Sequence, residues 1–73
     1  MDKKKACHML ADYNERINEI WDSIRSIELK LYTCKENERE WYLNNKEKLK
    51  RELEKEEQER EKFISEYGDI IHS

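Results

Sequence analysis

The stretch LADYNERINEIWDSIRSIELKLYTC, residues 10–34, decides the fold. Its residues Leu10, Tyr13, Ile17, Ile20, Ile24, Ile27, Leu31 and Cys34 recur at alternating spacings of three and four. That is an a/d heptad, and Ala6 carries it one position further back. Such a pattern keeps a single apolar seam turned toward a partner helix. A half-buried strand would instead alternate at every second residue, and no such alternation occurs. The pattern predicts a helix over about 4–34. Lys3, Lys4 and Lys5 sit poorly against a positive helix N-terminus, so the first turn is expected to fray despite Asp2 as a possible cap.

Outward from this stretch, the second half repeats the spacing with a weaker stripe. Tyr42, Lys46, Leu49, Leu53, Glu56, Arg60, Phe63, Tyr67 and Ile70 keep the three-four rhythm, while Glu54 to Lys62 form an unbroken polar run. Glu47/Arg51 and Glu56/Arg60 are i,i+4 pairs in the favourable orientation, so the run is compatible with a helix. Glu56 and Arg60 are expected to pair with each other within the seam. Gly68 stands where a C-cap glycine would sit, which places the second helix at about 38–68. Thr33 and Asn37 each begin a capping-box pattern with a Glu three residues on. A turn at about 35–37 gives two arms of similar length and is preferred over a turn at Asn44-Asn45 or one unbroken helix. The fold class is all-α: residues 1–73 form a single antiparallel helical hairpin, coiled-coil-like and expected to associate into a four-helix-bundle dimer.

Composition excludes most other classes. The chain has 73 residues, 45% of them charged, with one Gly and no Pro. A chain this short hides only about 60% of its unfolded surface, too little for an enclosed catalytic site. Barrels and sandwiches need turn residues that are missing. No enzymatic activity, cofactor or metal is expected. Cys7 and His8, even with His72 near them, lack the paired spacing of zinc ligands. Cys7 and Cys34 lie about 40 Å apart on one straight helix, beyond the reach of an intramolecular disulfide.

Charge narrows the partners. Residues 1–34 carry six acids and six bases, whereas residues 35–73 carry twelve acids and nine bases and hold the whole net charge of −3. Signs are interspersed, as on a solvated helix face. Direct nucleic-acid binding would need clustered bases and is not expected. No apolar stretch is long enough to span a membrane. Ala6 to Ala11 is too short and polar for a signal peptide's apolar region. A cytoplasmic protein is expected, and the scarcity of Ala, Gly and Pro beside many Lys, Asn and Ile fits an AT-rich bacterial or phage genome.

The two stripes do not match, and that mismatch carries the functional expectation. In a hairpin turning at residue 36, facing residues have numbers adding to about 73. Leu31 then meets Tyr42, Ile24 meets Leu49, Tyr13 lies by Arg60, Leu10 lies by Phe63, and Ile17 and Ile20 face Glu56 and Leu53. The isoleucines of the first arm outnumber what the returning arm covers, so a second molecule is expected to shield them. The candidate contacts, with another copy or another protein, are Leu10, Tyr13, Ile17, Ile20, Trp21, Ile24 and Ile27 on the first arm. On the second they are Trp41, Tyr42, Phe63, Ile64 and Tyr67, with Leu43 completing the Trp41-Tyr42-Leu43 cluster. The expected function is a self-associating adaptor, scaffold or inhibitor. The alternative is an acidic mimic of nucleic acid that inhibits a nucleic-acid-binding enzyme, as a phage anti-defence protein would.

Overall fold

The computed structural model describes residues 1–72 and contains two helices, α1 (Lys3–Thr33) and α2 (Glu36–Ile71), with no strand among the described residues. They lie against each other as an antiparallel hairpin 52 Å long and 15 by 13 Å across. The length is that of the longer helix, about 54 Å at 1.5 Å per residue.

Each helix end has a local cause. Asp2 is extended (φ −84°, ψ 164°), and its carboxylate accepts from the Lys5 N–H at 2.7 Å. This bond satisfies one orphan donor of the first turn, and α1 begins at Lys3. At the other end the Cys34 N–H donates to the Lys30 carbonyl at 2.8 Å. Cys34 and Lys35 are both extended (ψ 157° and 155°), and these two residues reverse the chain.

Neither expected capping box is used. Thr33 ends α1, and Lys35 is the N-cap of α2 without a side-chain cap bond. Glu36 and Glu38 instead place negative charge in the first turn, where the helix dipole favours it. Gly68 is a second correction. It has no positive φ and lies inside α2, which continues to Ile71 before the His72 N–H closes on the Gly68 carbonyl at 2.9 Å. The isoleucines after Gly68 have reason to stay helical, since Ile70 and Ile71 are both half-buried.

The facing register follows the expected one. Arg16 meets Glu56 at 3.2 Å, Arg60 donates to Asn14 at 2.9 Å, and Lys46 meets Glu28 at 3.3 Å. Each of these pairs lies within one residue of the anticipated register. They also correct the pairing of Glu56 with Arg60. Each reaches across to α1 instead, because the opposite helix offers Arg16 and Asn14 at the same level.

The core is narrow. Ile17, Ile24 and Leu53 form its buried centre, with Ile20 and Leu49 packed on it. Ala6 and Phe63 are buried toward the open end of the hairpin. Tyr13, Phe63 and Tyr67 continue the seam there as a run of tilted rings, with centroids 5.7 and 5.0 Å apart. The Arg16 guanidinium caps the run, 4.8 Å from the centre of the Tyr13 ring.

This overturns the premise of a bare ridge at Ile17 and Ile24, while Ile20 and Ile27 are only half-buried. Ile17 is 5% and Ile24 1% exposed within a single chain. A seam residue inserts into a hole made by four residues of the facing helix. Leu53 therefore shares the buried centre with Ile17, which a one-to-one register assigns to Glu56. The Glu56 carboxylate turns aside to Arg16 and leaves the hole apolar.

Candidate protein-interaction surface

With the seam closed internally, the surface available to a partner lies on its flanks. Of the residues expected to make contacts, Ile17, Ile24 and Phe63 are buried inside the hairpin. Leu10, Tyr13, Ile20, Ile27, Tyr42 and Tyr67 are half-buried along the seam, and Trp21, Trp41 and Ile64 are exposed. Leu43, beside the expected Trp41 and Tyr42, is exposed as well, and sequence reasoning missed Leu29 and Tyr32, which also stand in solvent. A signal for them existed. Leu29 and Tyr32 are large apolar residues off the a/d positions, where a heptad needs none.

The helices hold these side chains differently. Near the turn, Trp41 is 62% exposed, yet its ring is fixed edge-on to Tyr42 with centroids 5.0 Å apart. Lys30 of α1 lies 5.9 Å from the Tyr42 ring centre. Asn45, once a candidate turn residue, lies within α2 and donates to the Trp41 carbonyl at 2.8 Å. Trp41 thus presents a large apolar area to solvent, the type of side chain that dominates binding hot spots.

On another flank of the tip, Glu28, Leu31, Tyr32, Arg39, Leu43 and Lys46 line an open groove of about 460 Å³. Tyr32 at 87% exposure forms its most solvated wall. Lys46 and Glu28 cross the groove as an ion pair and tie its two walls together. At the open end of the hairpin, Lys4, Cys7, His8 and Ala11 line a shallower groove of about 260 Å³.

The grooves are open to water, so they lack the desolvated interior that strengthens electrostatic catalysis. Among the described residues no three His, Cys, Asp or Glu side chains gather as metal ligands would. Cys7 and Cys34 are free thiols. No helix among the described residues is long and apolar enough to cross a membrane.

Comparison of the chain with protein-family models, with curated proteins and with solved structures finds no match in any of the three.

Proposed function

We propose that this chain is a non-enzymatic protein-interaction module, a helical hairpin that docks on helical surfaces of other chains, its own included, and so acts as an adaptor, scaffold or inhibitor. One observation carries the reading. The seam is already filled, yet Trp41, Tyr32 and Leu43 remain exposed around the tip. Single exposed apolar residues are ordinary on any protein. Several large ones at one end of a chain this polar are a contact surface. Two free thiols suit a reducing cytoplasm. The alternative of an acidic nucleic-acid mimic has less support, because Glu56, Asp22 and Glu28 are each neutralised by a neighbouring base.

The test is affinity capture with the intact chain, comparing wild type with Trp41→Ala and Leu43→Ala. Both variants are expected to keep full helicity by circular dichroism and to lose a protein that wild type retains. Undiminished retention by both variants would remove the tip from the binding surface. Loss of helicity in Trp41→Ala would make that residue part of the fold instead.

A further inference from the structure

Two rows of glutamates run along α2, and they differ in what surrounds them. Glu38, Glu52, Glu59 and Glu66 share one heptad position on the flank that bears Trp41. Lys48, Lys55 and Lys62 stand one turn from the last three of these, so that row is interleaved with bases. Glu40, Glu47, Glu54 and Glu61 follow one another at every seventh residue on the other flank, and all are exposed. Glu40 and Glu61 have no base three or four residues away on α2, the spacing at which helix side chains meet. Lys50 and Arg51 are shared between Glu47 and Glu54. None of these four carboxylates makes a hydrogen bond or ion pair among the described residues, whereas Glu28 and Glu56 each hold a base.

This second row borders most of the exposed apolar surface. Glu40 and Glu47 lie one turn to either side of Leu43, and Glu61 lies one turn before Ile64. Leu43 shares the tip groove with Glu28 and Tyr32 of α1. Trp21 stands seven residues before Glu28, two turns along the same face. Trp21, Tyr32, Leu43 and Ile64, four of the seven exposed large hydrophobics, therefore gather on this side. Its α1 edge carries little free charge, because Arg25 is paired with Asp22 at 3.4 Å and Glu28 with Lys46 at 3.3 Å. One edge is apolar and neutral; the other is a line of unpaired carboxylates about 32 Å long at 1.5 Å per residue.

From this we infer that the side bearing Trp21 receives a basic amphipathic helix of another protein, about 20 residues long. Its apolar stripe lies on Trp21, Tyr32, Leu43 and Ile64, and its Lys or Arg residues, at heptad spacing, follow the α2 edge. Charges flanking an apolar seam are what set partner choice between helices. Here they admit a basic helix and repel an acidic one. The inference rests on the protein-interaction reading above and names the chemistry of the partner.

Two designed 21-residue peptides test it, with one leucine stripe at three-four spacing flanked by lysine in the first and by glutamate in the second. Each is labelled and titrated with the full chain, and fluorescence anisotropy is read at roughly 0.15 M and 0.5 M salt. The lysine-flanked peptide is expected to bind, more weakly at high salt, and the glutamate-flanked peptide to stay free. Each lost exposed pair is worth about 1.4–5-fold, so changing Glu40, Glu47, Glu54 and Glu61 together to Gln is expected to weaken binding about fourfold or more. Changing Glu38, Glu52, Glu59 and Glu66 together to Gln is expected to weaken it less than about twofold, since their lysines already answer them. In a Trp41→Phe background Trp21 is the sole tryptophan, and its emission is expected to shift to the blue as the peptide covers it.

No binding of the lysine-flanked peptide at about 100 μM would overturn the inference, as would equal binding of both peptides. Equal losses in the two sets of Gln variants, or an unmoved Trp21 emission, would do the same. So would a dimer of the chain alone that Trp21→Glu dissociates, because a second copy would then occupy this side. Circular dichroism checks the helicity of each variant; should the Gln variants unfold, the peptide pair and the Trp21 emission decide. A chain that ignores both peptides yet captures a protein lost by Trp41→Ala would sink this inference and leave the interaction reading standing. A chain that binds nothing would sink both.

Discussion

Replacing Ile24 by Ala tests the statement on which the fold depends, that the hairpin seals its own seam. Ile24 is the most deeply buried large side chain, 1% exposed between Ile17, Ile20, Leu49 and Leu53. The change removes three carbons, worth about 2.4 kcal/mol at roughly 0.8 kcal/mol each. A residual cavity adds to this, but only modestly, because a layer two helices thick can close inward. We expect a loss of about 3 kcal/mol, within the usual 2–5 kcal/mol for such truncations. A domain of this length has a total stability of roughly 4–11 kcal/mol, so the loss takes a large fraction of it. Urea unfolding followed at 222 nm, at one fixed protein concentration, measures it. Leu29→Ala is the control, since Leu29 is 68% exposed and its loss should change stability by no more than about 0.5 kcal/mol. If Ile24→Ala destabilises by less than about 1 kcal/mol, or no more than the control, the seam is not closed as described.

Three further outcomes follow from local geometry. Gly68→Ala should stabilise by about 0.5–1 kcal/mol in the same unfolding assay. The residue is helical, and an added Cβ meets Ile64 Cγ2 only at an ordinary 4.0 Å; destabilisation would restore the C-cap reading. Asp2→Ala should cost about 1 kcal/mol locally and speed amide exchange in the first turn of α1, where Asp2 holds the Lys5 N–H. A double-mutant cycle on Arg16 and Glu56 should give a coupling of about 0.2–1 kcal/mol that shrinks in salt, because the Arg16 side chain is 51% exposed; a salt-independent coupling would place the pair in a drier setting than the structure gives it.

The proposed contact surface was only partly legible. Trp21, Trp41 and Ile64 stand out because they are large, apolar and beside the stripe, and each is exposed. Tyr32 carries the same signal but went unread beside the stronger rhythm of the isoleucines. Ile17 and Ile24 were misjudged because a one-to-one register gives each seam residue a single partner, whereas packing gives it four. Glu56 shows the same limit. Its i,i+4 neighbour Arg60 is fixed by spacing within one helix, but Arg16 becomes available only when a second helix lies alongside.

The chain's own pattern determined two long helices, one reversal near residue 35 and the register between the arms. Apolar residues at three-four spacing can be buried only by a facing stripe of the same period, and the lack of Gly and Pro inside α1 leaves it no place to break. Tertiary structure alone decided which isoleucines are covered and which charges cross the seam. These depend on how far each helix is rotated about its axis against the other. Spacing along one helix does not specify that rotation; contact between two helices does.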